Sequence, residues 1–111
     1  MSDLIVANTI RDQLGREALF LLGAQHLVGD SNYLSFKIRG SRKANHIKII
    51  LDASDTYTIE FYKIRGTSVK LVTSMNWVYA DQLRSVIESV TGLIASMGSA
   101  GFFANITEDK L

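Results

Sequence analysis

Apolar and polar positions alternate in three stretches near the middle of the chain. Leu34, Phe36 and Ile38 alternate with Ser35, Lys37 and Arg39. Ile47, Ile49 and Leu51 alternate with His46, Lys48 and Ile50, and Tyr57, Ile59 and Phe61 alternate with Thr58, Glu60 and Tyr62. A period of two sends successive side chains to opposite faces of a strand, so each stretch predicts a strand with one face on a core and one in water. The connections, Gly40 to Asn45 and Ala53 to Asp55, are short enough for hairpins, which makes the pairing antiparallel. A fourth strand is expected over Ser68 to Thr73, turned by Gly66 and Thr67, with Val69 and Leu71 facing inward.

The period changes toward the C-terminus. Leu83, Val86, Ile87, Val90, Leu93, Ile94 and Met97 recur at three- and four-residue spacing, one face of an amphipathic helix running from about Tyr79 to Met97. Asp81 falls in its first turn, where the helix dipole favours an acid. Thr91 and Gly92 weaken its middle. Upstream, Asn8 is placed to cap a short helix over Thr9 to Leu14, with Gly15 ending it. The run EALFLLGA, Glu17 to Ala24, has no clear period. Helix and buried strand both fit it, and its Ala and Leu content favours helix. Gly29 to Asn32 marks a turn.

One apolar helix stripe and one apolar sheet face bury each other most economically as two layers. The expected fold is therefore α+β: an antiparallel sheet of three or four strands covered by the long C-terminal helix, Leu83 to Met97, with a short N-terminal helix. Residues 1–97 would form one domain. Residues 98–111 open with the linker-like GSAG and continue as a tail bearing Phe102, Phe103 and Ile106. Those apolar side chains are costly to expose, and with the sheet edges they lead to the expectation of a homodimer through tail exchange or edge pairing.

Composition narrows the function classes. With 111 residues and 47% apolar content the chain supports a modest core without staples. The absence of cysteine removes disulfides, thiolate-ligated zinc and a cysteine nucleophile. No apolar run reaches the roughly 18 residues of a membrane span, and residues 1–8 lack the basic region of a secretory signal, so a cytoplasmic location is expected. The net charge of +1 hides a segregation. Ser31 to Tyr79 holds eight basic and three acidic residues, and the remainder holds four basic and eight acidic. A basic middle suits an anionic partner or a solvated, aggregation-resistant sheet face.

Chemistry-bearing patterns are sparse. Asp52 and Asp55 lie three apart across an expected turn, where Asp usually caps backbone groups. His26 and His46 belong to no metal-ligand spacing, no Ser lies in GxSxG, and neither Walker A nor GxGxxG occurs. The expectation is a protein without enzymatic activity and without a cofactor or metal. KIRG occurs twice, at Lys37–Gly40 and Lys63–Gly66, and two strand-end arginines so presented would suit phosphates or carboxylates. Lys37, Arg39 and Lys48 share the outward side with Tyr62, and the loop Ser41 to Asn45, taken as flexible, adds Arg42 and Lys43. Cations beside an aromatic ring suit phosphate contact and base stacking. Lys37, Arg39, Arg42, Lys43, Lys48, Lys63 and Arg65 are the candidate binding residues, for nucleic acid or for a host protein complex that handles it. Neither an RNP-type aromatic pair nor a helix-turn-helix pattern is present. Trp77 reads as a staple packing the last helix on the sheet, with a partner contact as the alternative.

The stretches ALFLLGAQHLVGDSNYLSFKIRG, HIKIILDASDTYTIEFYKIRG and VYADQLRSVIESVTGL resemble a group of small proteins encoded by phages, prophages and other bacterial mobile elements. The resemblance covers residues 13–95 and is most specific in DTYTIEFYKIRG and in VYADQL followed by TGL. It implies a bacterial cytoplasm and a mobile-element accessory role, and it assigns no activity and no functional residues. Two roles compete for the basic middle: nucleic-acid binding, and an inhibitor or adaptor of anti-defence type that docks on a host complex.

Overall fold

A computed structural model describes residues 4–95. In chain order the elements are α1 (Ile5–Leu14), α2 (Arg16–Leu21), β1 (Gln25–Gly29), β2 (Tyr33–Lys37), β3 (His46–Leu51), β4 (Tyr57–Arg65), β5 (Ser68–Val78), a single 3-10 turn (Ala80–Gln82) and α3 (Leu83–Thr91). The strands form one antiparallel sheet in the order β1-β2-β3-β4-β5, each beside its neighbours in sequence. The fold is α+β, as the two periodicities imply, with five strands rather than three or four.

The alternation sets the register. Phe36 stands opposite Ile47 and Leu34 opposite Ile49. Ile47 in turn faces Phe61, and Ile49 faces Ile59. These residues are buried together with Ala7, Ile10 and Leu14 of α1, Ala18 of α2, and Leu83 and Ile87 of α3. All three helices thus contribute to one core on one face of the sheet. Fully burying each large side chain contributes about 1.5–3 kcal/mol. α1 crosses close to β1, and a Cβ added at Gly29 would sit 2.7 Å from that of Ala7. Arg84 on α3 donates from Nε to the carbonyl of Leu14 at 2.7 Å, satisfying a free acceptor at the end of α1.

Several expectations are corrected. α3 stops at Thr91, because Gly92 adopts a left-handed φ of 77° and its N–H returns to Glu88. The apolar period through Leu93 and Ile94 therefore continues past the end of the helix, while Met97 and the tail, with Phe102, Phe103 and Ile106, lie outside the described residues. α1 starts four residues before Thr9 and has Leu4, not Asn8, at its N-cap, with no side-chain cap bond. The EALFLLGA run is helix through Leu21 and leads into β1, a strand the pattern does not announce. β5 reaches Val78. Val69 and Leu71 do not face the core: they stand opposite Ile64 and Tyr62 on the uncovered face, and both are exposed.

Candidate functional site

Strand alternation carries Tyr33, Ser35 and Lys37 of β2, His46, Lys48 and Ile50 of β3, and Thr58, Glu60, Tyr62 and Ile64 of β4 to the face away from the helices. An antiparallel sheet tolerates such an open face when it is polar. An open concavity of about 290 Å³ lies here, lined by Tyr33, Ser35, His46, Lys48, Tyr62, Ile64 and Val69.

Lys48 is its central cation. The opposite-charge neighbour across the ladder is Glu60, yet no ion pair forms between them. The Lys48 Nζ instead sits 4.2 Å from the centroid of the Tyr33 ring, within cation–π range. Glu60 turns the other way and accepts the Tyr62 hydroxyl at 2.6 Å. That hydrogen bond, with burial and the carboxylate charge behind it, pushes the Tyr62 hydroxyl up to about 12. Burial lowers the pKa of His46, which favours the neutral ring. The face thus offers two aromatic rings, the Lys48 ammonium against the Tyr33 ring, and an imidazole that burial holds toward its neutral form.

The seven expected contact residues do not form one patch. Lys37 and Lys48 are on the open face. Arg39 lies just beyond β2, against Gly23, and lines a small hollow with Phe20, Ala24 and Gln25. Arg42 and Lys43 are exposed on the β2–β3 loop. That loop is tied rather than free. Ser41 Oγ donates to the Thr91 carbonyl at 2.9 Å and accepts from Lys43 N–H, and Ala44 is buried. Asn45 donates to the Ile64 carbonyl and accepts from the Ile64 N–H, both at 2.8 Å, acting as a strand partner for the end of β4. Lys63 and Arg65 have the opposite parity to Tyr62, so they belong to the helix side of the sheet, and Lys63 Nζ donates to the Arg42 carbonyl at 3.0 Å. The two KIRG strings therefore present their side chains differently: Ile38 is buried in the core, whereas Ile64 is on the open face.

The segregation that does emerge runs along the strands. The β2–β3 loop and the β4–β5 turn lie at the same end of the sheet, which gathers Lys37, Arg39, Arg42, Lys43, Lys63, Arg65 and Lys70. The opposite end carries the β1–β2 and β3–β4 turns with Asp30, Asp52 and Asp55. Asp52 and Asp55 are turn residues, as expected: Asp55 N–H donates to the Asp52 carbonyl, and Asp55 takes a φ of 62°.

One functional candidate, Tyr33, is not marked by the sequence pattern, and a second, Trp77, stands elsewhere than its favoured packing role requires. Tyr33 lies just outside the alternating run chosen for β2, and only the Tyr33–Ile50 register brings it to the open face. Trp77 is no staple. It is 71% exposed and has a φ of 60°, sterically unfavourable for a bulky residue. The β4–β5 ladder steps two residues from Tyr57 to Ile59 but three from Val78 to Met75, so a bulge at Asn76–Trp77 turns the indole out of the expected packing.

Among the described residues no three His, Cys, Asp or Glu side chains stand close enough together to hold a metal ion, and no helix is long and apolar enough to cross a membrane. The chain matches no protein-family model, no curated protein and no solved structure.

Proposed function

We propose that this chain is a non-catalytic binding protein whose open sheet face takes single-stranded nucleic acid. The observation that carries the reading is the group of Tyr33, Lys48, His46 and Tyr62 on the uncovered face, beside the end of the sheet where the cations gather. Unpaired bases stack on exposed aromatic rings with little regard to sequence, while lysine and arginine track the phosphates. Tyr33 and Tyr62 supply the rings. Lys37 and Lys48, with Arg42 and Lys43 on the tied loop, supply the charge. Arg39, Lys63 and Arg65 contribute field rather than contacts on this face. The mobile-element setting rests on the sequence resemblance.

Anisotropy of labelled ten-residue DNA and RNA strands at several salt concentrations tests this. Binding is expected to weaken with salt, at a slope of about −0.7 per neutralised phosphate. Replacing Arg42 and Lys43 together by Gln should reduce that slope by about 1.4 without changing sequence preference. Absence of binding to single and double strands at low salt overturns the reading.

A second reading, a protein adaptor docking on a host complex, draws support from β5. It is an edge strand of 11 residues with Val69, Leu71, Val72 and Met75 exposed, the kind of edge another strand can extend. The same edge would serve a homodimer. A defined host protein retained from nuclease-treated lysate, and lost on Leu71→Lys, supports the adaptor; a dimer in light scattering lost by the same substitution supports self-pairing.

A further inference from the structure

The acidic end of the open face holds a second pocket, and its chemistry differs from that of the basic end. It has a volume of about 450 Å³ and is lined by Asp52, Ala53, Ser54, Thr58, Asn76 and Trp77. That volume is in the range of small-ligand sites. Thr58 has the parity of the open face and bonds Asp52, the residue after β3, so the pocket continues the surface that bears Tyr33 and Lys48.

Two features point to an occupant, the presentation of one indole and the charge of the polar wall. The indole of Trp77 is held at the rim by a bulge and a left-handed backbone, a conformation that is costly unless the surrounding structure imposes it. A mostly exposed indole is a stacking platform for a planar ring. The polar wall is acidic. Asp52 uses Oδ2 to accept the Thr58 hydroxyl at 2.7 Å, which fixes the carboxylate and leaves Oδ1 and further lone pairs for a ligand. No lysine or arginine lines the pocket. A phosphate is therefore repelled here, and a neutral ring with hydrogen-bond donors is favoured.

We propose that this pocket takes a single unpaired guanine, stacked on Trp77 with its donor edge on Asp52. Among the four bases only guanine offers two adjacent N–H donors, N1–H and the N2 amino group, and these match the two oxygens of a carboxylate. Adenine and cytosine pair one donor with an acceptor that a carboxylate repels, and uracil places its single donor between two acceptors. Asn76 and Ser54 are at hand for the remaining polar atoms. The inference rests on the single-strand reading above and gives it a base preference: phosphates lie toward the basic end, and one guanine anchors the strand at the acidic end.

Trp77 is the one tryptophan of the chain, so its emission reports this pocket alone. Guanosine, inosine, adenosine, uridine and methyl glucoside are titrated into the full chain at low salt. Guanosine should quench Trp77 with about tenfold higher affinity than adenosine or uridine, the discrimination a good bidentate contact provides. Inosine, lacking the N2 amino group, should fall to the adenosine level. Asp52→Asn should abolish the preference, since its amide oxygen still accepts from Thr58 while its NH2 opposes the donor edge. Equal quenching by all nucleosides, quenching by the glucoside alone, or a guanosine preference that survives Asp52→Asn overturns the proposal. The strand assays separate the two levels. Strand binding without guanosine preference sinks the pocket and spares the sheet-face reading; guanosine-selective quenching without strand binding does the reverse.

Discussion

The same three strands present two faces of opposite character. On the covered face Phe36, Ile47, Ile49, Ile59 and Phe61 are fully buried and carry no polar side-chain atom. One residue further along each strand, the open face carries Tyr33, Ser35, Lys37, His46, Lys48, Glu60 and Tyr62, most of them half-buried against one another. Stability is concentrated on the first face because removing apolar area from water is the dominant favourable term in folding. The second face contributes weakly to stability and is left free to hold charge, rings and hydrogen bonds. Substitutions on adjacent residues of one strand should therefore fall into different classes of effect.

The largest break in that comparison is expected at Phe61. Phe61→Ala leaves a cavity in the core and should lower unfolding stability by about 3–5 kcal/mol, measured by urea denaturation. Its neighbour Tyr62 should behave oppositely. Tyr62→Ala is expected to weaken single-strand binding by about 1–3 kcal/mol, with a far smaller change in denaturation midpoint. Equal destabilisation by the two substitutions would erase the distinction between the faces. Asn45 sharpens it from the side, because its amide serves the edge of β4 rather than either face. Asn45→Ala leaves the Ile64 N–H and carbonyl without those partners and should cost about 1–3 kcal/mol, read in the same urea titration.

The smallest expected effect is a pH dependence at His46. Burial lowers its pKa in the folded chain below the ordinary 6.5. Between that lowered value and 6.5 the unfolded chain binds the proton and the folded chain does not, so stability falls as pH drops below 6.5. His46→Gln should remove this part of the acid sensitivity in thermal melts between pH 7 and 5. Protonation also adds a cation to the open face, so strand binding should tighten over the same interval in the parent and not in the variant.

What the sequence disclosed follows from which interactions are local. β2, β3 and β4 were legible because half-buried strands must alternate. β1 was not: QHLVG is short, follows an apolar helix and carries an irregular pairing step between Gln25 and Val28, with His26 at a φ of 54°. β5 was legible as a strand at its start but not in its facing, since extra residues at Val72 and at Asn76–Trp77 reset its alternation and put Val69 and Leu71 out of phase with the core-side Ile59–Met75 and Tyr57–Val78 pairs. That reset explains why Trp77 reads as core and stands in solvent. For the site, the sign of the charge in the middle of the chain was visible. Its division between two faces was not, because Lys63 and Tyr62 are adjacent in sequence and separated only by strand parity. Nor does composition reveal that Lys48 prefers a ring to the carboxylate opposite it.

The order of strands in the sheet has a kinetic consequence. Every strand pairs with its sequence neighbour, so the sheet can close hairpin by hairpin with little loop entropy lost at each step, the circumstance that makes low-contact-order chains fold quickly. The seam between the two helical ends is different: the Arg84 bond to the Leu14 carbonyl spans 70 residues and cannot form until the meander has brought α1 and α3 together. A late contact of that kind sets how fast the native state is lost rather than how fast it is gained. Weakening the seam would leave refolding near its parental rate while shortening the lifetime of the folded chain.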